Sequence, residues 1–243
     1  MSSQVLIVTG GSRGIGAATV RLAAERGWTV CFSYLHRSQE AEALARDTGA
    51  TAVQADVRNE ADIVRLFDTA AALGPIRGFV NNAAILEPQM RLDEMDAARM
   101  ERIFATNAIG ALLCAREAVR RMSTRHGGLG GAIVNVSSAA SRLGSPNEYI
   151  DYAASKGAVD TLTIGLAKEV AAEGIRVNAV RPGLIYTEMH ADGGEPGRVD
   201  RLKASVPMQR GGHPDEVARA ILWLLSEEAS YATGTFLDLA GGR

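Results

Sequence analysis

Residues 5–16 read VLIVTGGSRGIG: four aliphatic residues run directly into a turn that is rich in glycine. The residues that follow repeat apolar side chains at helical spacing as far as Gly27, so this stretch predicts a strand, a glycine loop and a helix. Glycine lets the backbone turn tightly and approach a diphosphate, and the start of a helix offers free N–H groups to that anion. We therefore expect a dinucleotide-binding loop made by Gly10, Ser12, Arg13, Gly14, Ile15 and Gly16.

Strand-like runs alternate with helical patterns along the rest of the chain. The further runs lie at residues 29–33, 51–55, 78–80, 132–136, 175–180 and 233–239. This alternation predicts an α/β fold, in which a parallel sheet is covered by helices on both faces. Ligands of such a doubly wound sheet bind beyond the carboxyl ends of the strands.

A second informative stretch is YAASK, residues 152–156, at the start of another helical pattern. Its Tyr152 and Lys156 lie one helical turn apart and therefore share a face. A tyrosine has an ordinary pKa of about 10, and a nearby ammonium group lowers it. We expect Lys156, together with any cationic cofactor ring nearby, to bring the Tyr152 pKa toward neutral pH, which makes the phenol a proton donor and acceptor. Tyr149 is a competitor, but it has no lysine four residues on.

The glycine loop has the spacing G-x-x-x-G-x-G behind Thr9, and with the YAASK stretch it resembles the short-chain dehydrogenase/reductase family. The resemblance covers essentially the whole chain and extends to members similar to 3-oxoacyl-(acyl carrier protein) reductases and glucose dehydrogenases. It implies one Rossmann-type domain over residues 1–243, with a seven-stranded sheet in the order 3-2-1-4-5-6-7.

The same resemblance implies a catalytic set of four residues. Ser138 would hydrogen-bond the substrate oxygen, and Tyr152 would exchange its proton. Lys156 would lower the Tyr152 pKa and bind the ribose hydroxyls, while Asn107 would hold a water molecule in the proton relay. Ser138 precedes Tyr152 by one residue more than the commonest family spacing, so Ser137 remains an alternative.

The second strand ends at Tyr34, where an NAD enzyme would carry an acidic residue for the ribose 2′-hydroxyl. Arg13 and Arg37 could instead pair with a 2′-phosphate, because arginine matches phosphate with a fork of donors. We therefore expect NADP (NADPH) rather than NAD.

Further cofactor contacts are implied by the resemblance at residues that follow other strands. They are Asp56, Val57, Asn82, Ala83, Pro182, Gly183, Ile185 and Thr187, together with Tyr152 and Lys156. Ala84 stands where the family usually has glycine, and we expect a slight adjustment there rather than loss of binding.

Residues 188–206 show no clear periodicity, and a stretch of this length without regular structure is often a functional lid. We expect it to close over the substrate. Met189 and His190 are candidates to contact the substrate, although an exposed position is an equal alternative for them.

The formal net charge of −2 over 243 residues gives no reason to expect a nucleic-acid or membrane partner. Cys31 and Cys114 stand in apolar contexts, and we expect both to be buried in a cytoplasmic protein. The four histidines are dispersed, so no metal site is predicted. The family resemblance implies a homo-oligomer, a tetramer or a dimer, that packs two long helices near residues 96–122 and 152–173.

These observations favour an NADP(H)-dependent oxidoreductase acting on a small carbonyl or secondary alcohol substrate. One alternative is a regulator that binds a dinucleotide on the same fold without turnover. Another is a dehydratase or epimerase. Neither the substrate nor the direction of the reaction follows from the sequence.

Overall fold

The computed structural model describes residues 4–243. Seven parallel strands form one sheet in the order β3-β2-β1-β4-β5-β6-β7, which confirms the predicted α/β fold and strand order. The strands are β1 (Val5–Val8), β2 (Thr29–Tyr34), β3 (Thr51–Gln54), β4 (Ile76–Asn81), β5 (Gly131–Val136), β6 (Ile175–Pro182) and β7 (Phe236–Leu239).

Helices connect the strands and cover both faces of the sheet. They are α1 (Gly14–Glu25), α2 (Ser38–Thr48), α3 (Glu60–Leu73), α4 (Ala97–Phe104), α5 (Ala111–Met122), α6 (Ala140–Leu143), α7 (Ile150–Val170), α8 (Met189–Asp192), α9 (Arg198–Leu202) and α10 (Pro214–Leu225). Helices α1 and α10 pack against each other on one face, and α3, α5 and α7 pack on the other.

The first strand shows how the sequence produces these layers. Side chains alternate across a strand, so Leu6 and Val8 enter the core under α1 and α10, while Val5 and Ile7 enter the core under α3 and α5. All four are completely buried. A strand buried on both faces must be apolar throughout, which explains the unbroken aliphatic run.

The order of the strands reverses beside β1. Val8 is in register with Phe32 of β2 on one side and with Val80 of β4 on the other. The connections after β1 and β4 therefore leave in opposite directions, and a crevice opens between them at the carboxyl edge of the sheet.

Three predictions about local structure were wrong. The helix expected over residues 96–122 is interrupted at Ala105–Gly110 by a π-helical segment, which contains Asn107. The 188–206 segment has regular structure, because it folds into α8 and α9 and a short 3₁₀ turn. The seventh strand also begins later than expected, at Phe236.

Cys31 and Cys114 are buried, as expected, and burial raises the pKa of each thiol to about 12. Among residues 4–243, no helix combines the length and apolar character needed to cross a membrane.

Candidate functional site

Two cavities meet at the carboxyl edge of the sheet. One, of about 380 Å³, lies over the glycine loop and is called here the glycine-loop cavity. The other, of about 500 Å³, lies over Tyr152 and is called the tyrosine cavity. They join through shared wall residues, which are Ile15, Asn82, Ala84, Thr187 and Met189.

The predicted cofactor residues line these two cavities. The glycine-loop cavity is bordered by Gly10, Ser12, Arg13, Gly14, Ile15, Gly16, Tyr34, Arg37, Asp56, Val57, Asn82, Ala83 and Thr187. The tyrosine cavity is bordered by Ser138, Tyr152, Lys156, Pro182, Gly183, Ile185 and Thr187. Asn107 is absent from both walls.

Glycine is required at several points of the loop. Gly10 has a φ of +64° and Gly14 has a φ of +51°, a region that other residues rarely adopt. A Cβ atom on Gly16 would lie 2.2 Å from the carbonyl oxygen of Gly10. The loop backbone therefore packs closely against the start of α1, where a helix offers free N–H groups.

Thr9 and Asn82 fasten the loop to the end of β4. The Thr9 hydroxyl accepts hydrogen bonds from the N–H groups of Asn82 and Ala83, at 3.0 and 3.1 Å. The Asn82 side chain donates to the carbonyl groups of Thr9 and Gly10, at 2.9 and 3.0 Å. Sequence reasoning missed this role of Thr9, which its position directly after a strand would have suggested.

Arg13 reaches from the loop toward the 188–206 segment, where it forms an ion pair with Asp192. Its Nη1 atom is buried and has no hydrogen-bond partner among the described residues. A buried guanidinium nitrogen without an acceptor is unusual, because desolvation without a compensating hydrogen bond is costly. The glycine-loop cavity therefore contains an unused donor that suits an anionic oxygen.

Arginines dominate the charged groups at the outer end of the glycine-loop cavity. Arg37 is half-exposed and lies 3.6 Å from Glu40. Arg58, which sequence reasoning did not select, holds the Asp56 carboxylate with contacts as short as 2.6 Å and lowers its pKa. The Asp56 side chain, expected to contact an adenine, is therefore already engaged by a neighbour. The last residue of β2 is Tyr34 and not an acidic residue.

Three groups converge in the tyrosine cavity from β5 and α7. The Ser138 hydroxyl lines the same cavity as the Tyr152 phenol and lowers the pKa of that phenol. Lys156 is almost completely buried, its Nζ atom lies 5.7 Å from the centre of the Tyr152 ring, and it donates to the Val136 carbonyl at 2.8 Å. The spacing of four residues thus places the phenol and the ammonium side by side, as predicted.

The expected direction of the Tyr152 pKa was wrong. Burial raises it to about 12, and the Ser138 hydrogen bond offsets only part of this effect. Burial also lowers the Lys156 pKa to about 8, against an opposing effect from Asp160. A low-polarity environment disfavours the charged forms of both side chains. The Lys156 amine is also directed to a backbone carbonyl. In the protein alone, desolvation therefore outweighs the attraction between the Lys156 ammonium and a Tyr152 phenolate, on which the sequence-based prediction relied.

The alternatives to Ser138 and Tyr152 occupy other positions. The buried Ser137 hydroxyl donates to the Lys156 carbonyl at 3.3 Å and supports α7. Tyr149 is buried, its hydroxyl donates to the Gly193 carbonyl at 3.4 Å, and the Arg198 guanidinium lies over its ring. Ser138 and Tyr152 are favoured because the Ser138 hydroxyl lowers the Tyr152 pKa, while the hydroxyls of Ser137 and Tyr149 are directed to backbone carbonyl groups.

Asn107 supports the site from behind. Its amide accepts from the Ile85 N–H at 2.8 Å and donates to the Ile85 carbonyl and to the Ser155 hydroxyl, at 3.0 and 3.2 Å. Ser155 in turn donates to the Tyr152 carbonyl at 2.7 Å. Both N–H donors of the amide are therefore used by the chain itself, and the π-helical turn delivers them to α7.

The 188–206 segment forms the outer wall of the tyrosine cavity. Its buried Arg198 binds Glu148, at 2.5 and 3.0 Å, and Glu195, at 3.2 Å. Met189 and His190 both line the cavity. The His190 ring is half-buried and contacts the Ile185 carbonyl oxygen through Nε2 at 3.0 Å.

Within the part of the chain that the structure describes, no three histidine, cysteine, aspartate or glutamate side chains are grouped as a metal would require.

A family model described as enoyl-(acyl carrier protein) reductase matches residues 10–243. The Escherichia coli (strain K12) protein named uncharacterized oxidoreductase YgfF is 58% identical and covers 98% of this chain and 99% of its own length. The cis-4-hydroxycyclohexanecarboxylate dehydrogenase of Sinomonas cyclohexanicum is 41% identical over 99% of this chain and 96% of that protein. The glucose and ribitol dehydrogenase homolog of Oryza sativa subsp. japonica is 36% identical over 100% of this chain and 86% of that protein.

Proposed function

The chain belongs to the short-chain dehydrogenase/reductase family of oxidoreductases, which use nicotinamide cofactors, and on that premise we propose that it transfers a hydride between NADP(H) and a small carbonyl or secondary alcohol substrate. The observation that carries the proposal is that Ser138, Tyr152 and Lys156 line one cavity, with the Lys156 Nζ atom 5.7 Å from the centre of the Tyr152 ring, and that this cavity opens into the glycine-loop cavity.

The residues present fit a dinucleotide. The glycine loop offers N–H groups at the start of α1 for a diphosphate, and the unpartnered Arg13 Nη1 offers a donor to an anion. Pro182, Gly183, Ile185 and Thr187 line the tyrosine cavity, and Thr187 also borders the glycine-loop cavity, which suits a nicotinamide ring. When bound, the cofactor supplies or accepts the hydride.

The chain's own groups manage the proton and the substrate oxygen. In the direction of reduction, Tyr152 donates a proton to the substrate oxygen as it becomes an alkoxide, and the Ser138 hydroxyl holds that oxygen by a hydrogen bond. Lys156, when protonated, stabilises the phenolate that remains on Tyr152. Asn107 keeps Tyr152 in place through Ser155.

We propose NADP over NAD because β2 ends without an acidic residue and three arginines border the cavity beyond it. Arg13 has a free donor, and the contact of Arg37 with Glu40 is loose, at 3.6 Å between half-exposed side chains. A ribose 2′-phosphate would gain charge-assisted hydrogen bonds from these two groups, whereas a 2′-hydroxyl would find no acidic residue at the end of β2 to accept from it.

The 188–206 segment is proposed to close over the substrate. It is fastened to three different parts of the site by Arg13–Asp192, Gln89–Glu195 and Arg198–Glu148. Polar contacts of this kind can open without exposing a large apolar surface, which suits a segment that must admit and release ligands.

We also propose that two copies of the chain associate through α4, α5 and α7. Phe104, Ile109, Leu112 and Ile164 are apolar and exposed on these helices. Gly157 and Gly165 leave open space on α7, which allows a second helix to approach closely. Light scattering tests this: wild type should have at least twice the monomer mass, and Ile109→Asp with Leu112→Asp should yield monomer. A monomeric wild type would contradict it.

The first test of the enzymatic proposal follows NADPH oxidation, with NADH in parallel, against ketones, aldehydes, quinones and keto-esters. Cyclohexanone and its 4-carboxylate belong in the panel because one relative is named for a hydroxycyclohexanecarboxylate. Turnover with NADPH supports the proposal. Tight NADPH binding without turnover, in this direction and with the matching alcohols and NADP, would favour a regulator that only binds the dinucleotide.

A further inference from the structure

One polar atom of the tyrosine cavity wall has no role in the chemistry described above. The Nδ1 atom of His190 is buried and has no hydrogen-bond partner among the described residues. An unpaired buried polar atom destabilises the fold, so native structures rarely leave one without a reason. His190 lines the same cavity as Tyr152 and Ser138.

The partner of the other ring nitrogen decides what Nδ1 can bind. Nε2 lies 3.0 Å from the Ile185 carbonyl oxygen, and a carbonyl oxygen only accepts. Nε2 therefore carries the proton. Burial also lowers the pKa of the ring, so the imidazole is neutral at pH 7 and Nδ1 presents a lone pair. The missing partner must be a hydrogen-bond donor.

The surrounding charges narrow the class of donor. The two charged groups that act on the His190 ring are Arg198 and Glu195, and these lie 3.2 Å from each other as an ion pair. Arg198 is further satisfied by Glu148, at 2.5 and 3.0 Å. Because these charges already compensate one another, a neutral donor such as a hydroxyl group suits the ring better than a charged substrate group.

We propose that His190 is a specificity-determining residue, whose Nδ1 accepts a hydrogen bond from a substrate hydroxyl other than the group that exchanges the hydride. The proposal rests on the proposed function and names its substrate class: diols, polyols and hydroxyketones. Nδ1 is covered in the structure, so the ring must turn slightly toward the cavity to meet the donor. His190 belongs to the four-residue helix α8 in the 188–206 segment.

The first arm of the test needs no activity. In protein labelled with ¹⁵N-histidine, the His190 ring should show the neutral tautomer with the proton on Nε2 at pH 7. A proton on Nδ1, or a doubly protonated ring, would overturn the proposal because the lone pair would be absent.

The second arm compares cyclohexanol with cis-1,2-cyclohexanediol, each oxidised with NADP. Wild type should have a kcat/KM for the diol that is roughly tenfold or more above that for cyclohexanol. His190→Gln places an amide N–H near the position of Nε2 and loses the acceptor at Nδ1, so it should reduce this ratio roughly tenfold. His190→Asn places an amide oxygen near Nδ1 and should retain more of the ratio. His126→Gln, at an exposed histidine before β5, is the matched control.

A loss of the diol preference that is equal in the Gln and Asn variants would indicate a merely structural ring and would overturn the proposal. So would a loss of NADPH affinity in His190→Gln with the ratio unchanged, because the donor would then belong to the cofactor. If wild type oxidises neither alcohol, the proposed function fails for this pair, and calorimetric binding to the protein–NADP complex decides the role of His190. Equal affinities for the two alcohols would then overturn it.

Discussion

Asp151 and Arg99 form a buried ion pair immediately before Tyr152. The Asp151 Oδ2 atom lies 2.7 Å from Arg99 Nε, and both side chains are almost completely buried. Asp151 Oδ1 accepts from the Tyr152 N–H at 2.8 Å, and Arg99 also donates to the Pro88 carbonyl at 2.6 Å. The pair therefore joins α4, the loop after β4 and the first turn of α7 at the residue assigned to proton transfer.

Asp151→Asn should destabilise the fold by about 3–5 kcal/mol, because it leaves the Arg99 guanidinium buried without a counter-charge. Urea unfolding measures the loss. Asp47→Asn is the matched control, because Asp47 pairs with Arg21 at 3.4 Å on the surface, where such a pair contributes about 1 kcal/mol or less. Equal losses in the two variants would mean that Asp151 and Arg99 have free access to water.

Lys156→Met should stabilise the protein at pH 7. A Lys156 pKa of about 8, against the ordinary 10.5, corresponds to a cost of up to about 3 kcal/mol for burying the ammonium. The variant avoids this cost but loses the hydrogen bond to the Val136 carbonyl, which reduces its gain in stability. The unfolded state binds more protons between about pH 8 and 10.5, so wild type gains stability relative to the variant over that window. Unfolding at pH 7 and pH 10 measures this, and a difference that does not change with pH would contradict it.

The rate of reduction should fall as the pH rises through about 8. The charged form of Lys156 stabilises the Tyr152 phenolate, and that charge is lost above its pKa. Lys156→Arg keeps a cation at every accessible pH, so it should move the alkaline fall to higher pH even where its maximal rate is lower. Single-turnover rates at saturating NADPH test this, and an unchanged profile would assign the fall to another group.

Tyr152→Phe should retain NADPH binding and lose turnover by at least about a hundredfold, the typical contribution of general acid–base catalysis. Fluorescence titration and steady-state assays separate the two effects. Tyr231→Phe serves as the control, because Tyr231 is fully exposed near the opposite edge of the sheet. Tyr149→Phe should lose far less turnover than Tyr152→Phe. A larger loss in Tyr149→Phe would assign the proton transfer to Tyr149.

Arg37→Ala and Arg13→Ala should each weaken NADPH binding far more than NADH binding, because the 2′-phosphate is the difference between the two cofactors. The effect should be about tenfold or more, since hydrogen bonds to charged groups contribute about 1.5–3 kcal/mol. Dissociation constants measure it. Arg46→Ala, an exposed residue farther along α2, is the control. Equal losses of affinity for NADPH and NADH would show that these arginines do not select between the two cofactors.

The sheet and the positions of the main site residues were predictable because each depends on a local signal. The aliphatic run of β1, the glycines of its loop and the spacing of Tyr152 and Lys156 each follow from a short stretch of chain. In a parallel sheet the carboxyl ends of all strands lie at one edge, so the topology alone places Asn82, Ser138 and Thr187 at that edge.

The rest depends on contacts between distant residues. Helix α9 is stabilised by Arg198, whose partner Glu148 lies 50 residues away in the sequence. The residues of α9 alone show too little periodicity to predict a helix. The π-helical turn around Asn107 likewise has no local signature, because it is held by Ile85 and Ser155. The predicted direction of the Tyr152 pKa was wrong for a related reason. Burial depends on the whole fold, whereas the spacing of the two residues revealed only the attraction of Lys156.

The reversal of strand order beside β1 has a consequence for how the chain is synthesised. Val80 is the neighbour of Val8 on one side, so the residues that line the glycine-loop cavity, apart from Thr106 and residues 187–189, are all present once about 85 residues have emerged. The 182–190 stretch follows about 100 residues later, roughly 5–20 s at ordinary translation rates. Until β5 arrives, β4 presents an unpaired apolar edge, which is the kind of strand edge that recruits other chains. Chains truncated between residues 85 and 130 should therefore aggregate rather than persist as a soluble half-domain.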